Sequence, residues 1–126
     1  MSKNAYFTLL KQKMSVNIVV NLQVEWVHCW KDCAMIEVLF LKNLHRHIFH
    51  IKCVKAVNHN DRDIEIIKFK RKILQYLFDK YPQRQTCLEF GWMSCEMIAE
   101  DLMREFDLEQ CEVLEDWENG ALLTKN

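Results

Sequence analysis

The feature that most limits what this chain can fold into is a run of strict alternation. From Asn17 to His28 it reads NIVVNLQVEWVH, with Ile18, Val20, Leu22, Val24, Trp26 and His28 on every second position. Between them lie Asn17, Val19, Asn21, Gln23, Glu25 and Val27. Successive side chains of an extended chain point to opposite faces, so a period of two predicts a long, half-buried strand. Such a strand needs a partner along its edge and a cover over its apolar face. It ends on a histidine that shares that apolar face.

The rest of the chain supplies both needs. Residues 44–57, LHRHIFHIKCVKAV, read as a second strand with His45, His47, Phe49, Ile51, Cys53 and Val57 on one face. The segment CWKDCAMIEVLFLKN between the two strands reads as an irregular connection, and NHNDRD after the second is rich in turn formers. Apolar residues at 66, 69, 73, 74, 77 and 78 predict a helix over Ile66–Lys80, which Pro82 stops. A loop through Gly91 leads to a second helix, MSCEMIAEDLMREF, with Ser94 as N-cap and Ile98, Leu102 and Phe106 as its stripe. The tail EQCEVLEDWENGALLTKN reads as strand, tight turn at Glu118-Asn119-Gly120, and strand. The expectation is an α+β domain over residues 15–126. It has a four-stranded antiparallel sheet with two helices on one face, in the order ββααββ. Residues 1–14 form an arm or an extra strand.

Composition narrows the functional classes. Seventeen basic against eighteen acidic residues give a net charge of −1, which offers no electrostatic case for nucleic acid or a membrane surface. No apolar run reaches the length of a membrane span, and the first residues lack a signal-peptide core. The expected location is the cytoplasm, with the six cysteines as reduced and mostly buried thiols. Only two glycines and one proline favour long regular elements over loops. Open sheet edges need covering, which points to a homo-oligomer. The tryptophans at 26, 30, 92 and 117 are core candidates that could also close subunit interfaces.

Three of the five histidines lie in LHRHIFH, residues 44–50. On a strand, His45 and His47 point the same way, and antiparallel pairing with the first strand brings His28 beside them. Zinc needs three or four such ligands at about 2 Å, with one position left open when the metal is catalytic. The ordinary reading is polar residues near a strand end; the third histidine on the adjacent inward face sets a metal site beside it on equal terms. His50 points to the other face, and His59 sits in a turn. A rival set adds Cys29 and Cys33 of CWKDC, but on a strand Cys29 would point away from its neighbour His28.

These motifs together resemble a known family. VEWVH, LHRH, IIKFKRKI, SCEMIA and VLEDWENGA, spread over residues 17–123, are similar to the 6-pyruvoyl-tetrahydropterin synthase and 6-carboxytetrahydropterin synthase family, which has the T-fold. The family's Leu-His-Gly-His matches Leu44-His45-Arg46-His47, and its upstream zinc histidine matches His28. Its Thr-Ser-Glu-Asn-Leu-Ala helix start is similar to Ser94-Cys95-Glu96-Met97-Ile98-Ala99. Its ligand-anchoring glutamate matches Glu115. The resemblance implies a zinc site of His28, His45 and His47, substrate-binding roles for Glu115 and Glu96, and subunits that join their sheets into a barrel with sites between them. A carboxylate suits an aminopyrimidine edge, from which it accepts two parallel N–H bonds.

The departures are equally specific. VLFLKN, before LHRH, has no thiol where the family carries a catalytic cysteine. The family's Asp-His pair is matched only by Asp79-Lys80, which leaves these two as the catalytic candidates. Lys68 and Arg46 stand where the family has aspartate and glycine. The implied function is a zinc-dependent lyase or synthase acting on a dihydropterin triphosphate-type substrate. The alternative is a non-catalytic T-fold protein that captures a pterin, purine or nucleotide, and a third reading keeps the fold only as an assembly module.

Overall fold

The computed structural model describes residues 14–84 and 87–126, so the expected N-terminal arm lies, but for Met14, outside the described residues. Strand β1 spans Asn17–His28 and β2 spans His45–Ala56, paired antiparallel with His28 opposite His45 and Trp26 opposite His47. Between them, Ile36–Lys42 forms two short 3-10 turns that meet at a kink at Val38 and bury no residue. The first long helix, α1 (Ile66–Lys80), takes the predicted bounds, with the Glu65 carboxylate accepting from the Lys68 amide at its start. The second, α2 (Cys95–Phe106), is capped by the Ser94 hydroxyl, which accepts from the Met97 amide. At its other end Asp107 adopts a left-handed conformation, and the Lys55 ammonium donates to the carbonyls of Phe106 and Asp107. A cation there also opposes the negative end of the helix dipole.

The architecture is mixed α+β, but the sheet differs from the expected four antiparallel strands. Six strands lie in the order β3-β4-β1-β2-β5-β6, where β3 is Gln83–Arg84, β4 Cys87–Gly91, β5 Gln110–Glu115 and β6 Asn119–Thr124. The expected loop between the helices contains the β3–β4 hairpin, and β4 runs parallel to the end of β1. Leu88 and Phe90 carry the reason: both point into the core and are 2% and 3% exposed. In doing so they cover the aromatic end of β1, where Trp26 stacks on Phe90 at 3.2 Å and meets Tyr81 edge-on at 5.3 Å. The chain forms an open sheet with β3 and β6 at its edges; it does not close into a barrel by itself.

The core lies between one sheet face and the helices. Val20, Leu22, Val24 and Trp26 from β1 meet Phe49, Ile51 and Cys53 from β2, and α1 contributes Phe69, Ile73 and Leu77. Ile98, Ala99 and Leu102 of α2 complete it. Each large apolar side chain so buried contributes roughly 1.5–3 kcal/mol. The predicted α1 stripe was too broad, because Ile66 and Phe78 lie exposed. Among the tryptophans only Trp26 is core; Trp30, Trp92 and Trp117 are exposed.

The final hairpin also turns at a different place. Its tight turn is Asp116-Trp117, both at positive φ (55° and 64°), closed by the Glu118 amide donating to the Glu115 carbonyl at 2.9 Å. Asn119 and Gly120 belong to β6, opposite Glu115 and Leu114. Tertiary contacts hold the unusual turn. The Asp116 carboxylate accepts from the Ile48 amide at 2.9 Å, and Trp117 stacks on His50 at 3.7 Å. Gly120 serves close approach instead: a Cβ there would fall 1.7 Å from the Val113 carbonyl oxygen.

Candidate metal centre

Strand parity and register converge the three histidines. His28 closes β1, His45 opens β2, and His47 follows two residues later on the same face. Their rings lie 4.5 Å (His28–His45), 5.0 Å (His45–His47) and 5.5 Å (His28–His47) apart between centroids, all near edge-on. One nitrogen from each ring falls within 4.8 Å of the other two. Among the described residues this is the one group of three or more histidine, cysteine or acidic side chains so arranged, and Cys29 and Cys33 take no part. Cys33 is buried, with its thiol directed at the Val38 carbonyl.

The outer nitrogens are all engaged. His28 Nδ1 lies 2.9 Å from the Met93 carbonyl, His45 Nδ1 lies 2.9 Å from the Asn43 carbonyl, and His47 Nδ1 lies 2.7 Å from the Asp116 carboxylate. Each acceptor demands a proton on Nδ1, which leaves the Nε2 lone pair of a neutral ring free. This is the arrangement that orients imidazoles for a metal. The Nε2 atoms of His28 and His47 are buried without a hydrogen-bond partner. Burial, foremost, and the other two rings push the His45 pKa below its usual value despite the Asn43 carbonyl, which favours the neutral ligand form. The donor set and its orphaned nitrogens could therefore hold a metal ion.

No family model matches the sequence, and no curated protein matches it.

Beside the histidines opens a cavity of about 500 Å³. Its walls include Trp30, Trp92, Cys95, Glu96 and Glu115 together with His28 and His45. Glu115 reaches toward the histidine cluster, its two oxygens 3.1 Å from His28 Nε2 and 3.2 Å from His47 Nε2. Burial alone would raise its pKa, but the His28 and His47 rings and the Cys95 thiol outweigh it and hold the carboxyl below the ordinary range. The Cys95 thiol donates to Glu115 at 3.4 Å. Burial, then the Glu115 charge, push that thiol up to about 12, so it is a proton-bearing donor at neutral pH and not a thiolate.

The two catalytic candidates lie elsewhere. Asp79 accepts from Gln75 one turn back on α1. The Lys80 ammonium sits 2.7 Å from the Asp101 carboxylate and 3.0 Å from the Tyr76 hydroxyl, so its pKa is raised, chiefly by the Asp101 bond. Asp101 also accepts from the Tyr76 and Tyr81 hydroxyls, which makes Lys80 part of a polar clamp between α1 and α2. Neither Asp79 nor Lys80 lines the cavity. His50 lies on the opposite face, as strand parity required, and His59 pairs with Asp63 at 3.4 Å. Sequence reasoning missed Asp116 and the Met93 carbonyl. Asp116 was legible only as an acidic residue beside Glu115, and a backbone carbonyl leaves no signal in the residue types.

Proposed function

We propose that this chain is a zinc protein of the pterin synthase kind, acting on a dihydropterin triphosphate-type ligand in the cavity beside the histidines. The observation that carries the reading is the trio of imidazoles with every Nδ1 engaged and the Nε2 atoms left to a common ion. Zinc bound there would act as a Lewis acid, polarising an oxygen of the ligand. Glu96 and Glu115 on the cavity wall suit the amino edge of a pterin, and Trp30 and Trp92 offer flat apolar surface for its ring. Exposed Trp30 and Trp92 on the cavity wall, with Ile36 and Phe40 exposed on the turns between β1 and β2, support closure by a second copy of the chain in a T-fold homo-oligomer.

A second reading, capture of a pterin, purine or nucleotide without turnover, is favoured by one specific observation. Asp79 and Lys80 are held away from the cavity, and the thiol that does line it is kept protonated by burial and Glu115. A base with a matched pKa within reach is what proton abstraction requires.

The test is metal content per chain, on untagged protein beside a His45→Ala control, followed by incubation of the zinc-loaded protein with dihydroneopterin triphosphate. About one zinc per chain, lost in the control, with a new pterin product, supports the enzyme. Zinc with unchanged ligand retained through gel filtration supports capture. No zinc in either protein would sink the enzyme reading, and a cavity that retains no pterin, purine or nucleotide, with no thermal shift across a panel of them, would sink capture.

A further inference from the structure

The two Nε2 atoms of His28 and His47 face a carboxylate, and that is electrostatically odd. Both rings are engaged through Nδ1, and each turns its Nε2 toward a Glu115 oxygen. Nitrogens that approach a carboxylate at 3.1 and 3.2 Å call for positive charge, carried by a proton on the ring or by an ion between them. Charge-assisted N–H···O bonds would be shorter, about 2.7–2.9 Å. Neither nitrogen finds a hydrogen-bond partner of acceptable geometry, although both are buried. Two ligand atoms that each lie about 2.0–2.2 Å from one tetrahedral ion stand roughly 3.3–3.6 Å apart. The observed separations, 3.1 and 3.2 Å, lie just under that spacing, and neither nitrogen has a hydrogen-bond partner.

We infer that Glu115 is the fourth protein ligand of the metal, closing a three-histidine, one-carboxylate site when the cavity holds no ligand. The inference rests on the metal reading and gives Glu115 a role before any substrate arrives. The carboxylate is already posted for it. It extends from the end of β5, which is in register with Phe49 of β2, and Cys95 at the start of α2 donates to one of its oxygens. A hydrogen bond to a ligating carboxylate fixes its orientation. A ligand whose N–H edge took Glu115 would release it from the ion and free the fourth position for chemistry. Closure by Glu115 and ligand capture by Glu115 are then mutually exclusive.

The experiment uses the full chain and the metal alone. Zinc affinity is measured by competition with a chromophoric chelator for the wild type, Glu115→Gln and Glu115→Asp, with circular dichroism as the check on folding. Cobalt is then substituted and its visible absorption recorded. Loss of affinity by about 100-fold or more in Glu115→Gln, with a changed cobalt spectrum, supports the inference. Wild-type affinity and an unchanged spectrum in a folded Glu115→Gln would overturn it while leaving the three-histidine site standing. A wild type that binds no zinc would overturn the inference and the metal reading together. If the variants misfold, a crystal of the zinc-loaded wild type decides. A Glu115 oxygen about 2.0–2.2 Å from the ion supports the inference, and water in that position with the carboxylate turned away overturns it.

Discussion

Asp116 offers the sharpest test of the proposed metal site. Its carboxylate divides its oxygens, one accepting from the Ile48 amide at 2.9 Å and the other meeting His47 Nδ1 at 2.7 Å. Those contacts, His47 first, hold its pKa below the ordinary aspartate value, so it is an anion at neutral pH. In Asp116→Asn the amide oxygen can keep the Ile48 bond, which puts the NH₂ group against Nδ1. Two donors cannot share that contact, so the ring must move its proton to Nε2, the atom that the proposed ion would take. Asparagine tolerates the left-handed backbone at φ 55°, so the turn survives. Returning the ring to the ligating tautomer breaks a hydrogen bond worth about 1–1.5 kcal/mol, and the polarising charge behind the ring is also lost. Loss of such an outer partner typically weakens metal binding 10–100-fold, about 1.4–2.7 kcal/mol. Chelator competition should show that loss, while metal-free stability changes by less than about 1 kcal/mol, since the site is half-exposed. Imidazole nitrogen NMR should show His47 switching tautomer. Unchanged zinc affinity with His47 still protonated on Nδ1 would refute the reasoning.

Three further outcomes follow from the same geometry. With the proposed site, zinc at about 100 times its dissociation constant should stabilise the chain by roughly 2.7 kcal/mol and raise Tm by roughly 10 °C, an effect a strong chelator removes; calorimetry reads it. Gly120→Ala sets a Cβ 1.7 Å from the Val113 carbonyl oxygen in a paired strand, and should cost about 3 kcal/mol or more in urea unfolding. Asp101→Asn should destabilise by about 1–3 kcal/mol near neutral pH. Burial pushes the Asp101 pKa up, but the bonds from Lys80, Tyr81 and Tyr76 overcome it and hold the pKa below its usual 3.8. A depressed folded pKa means that this stabilisation is complete above the unfolded value and is lost as pH falls through the folded one. Urea midpoints of wild type and variant should therefore converge in that acid range and separate above it.

Much of this molecule follows from periodicity. The alternation in β1 and β2 decided which side chains face inward, and parity, with the register that sets His28 opposite His45, placed His28, His45 and His47 together. The bounds of α1 follow from the apolar stripe and the proline after it, and Ser94 capped α2 as its hydroxyl suggests. These are local rules, in which a residue's type and spacing decide its face.

What only the tertiary structure decided are the contacts in which one element answers another. The β3–β4 hairpin is stable because Leu88 and Phe90 cover the end of β1, a parallel pairing that no short window encodes. The turn moved from Asn-Gly to Asp116-Trp117 because carboxylate and indole are held by β2. Lys80, a base candidate by position, is claimed by Asp101 from the neighbouring helix. Asp116 reaches His47 across 69 residues of chain, and the Met93 carbonyl reaches His28 across 65. Periodicity states which face is buried, whereas the partner of a polar atom depends on register and loop path, which the packing of the whole chain selects.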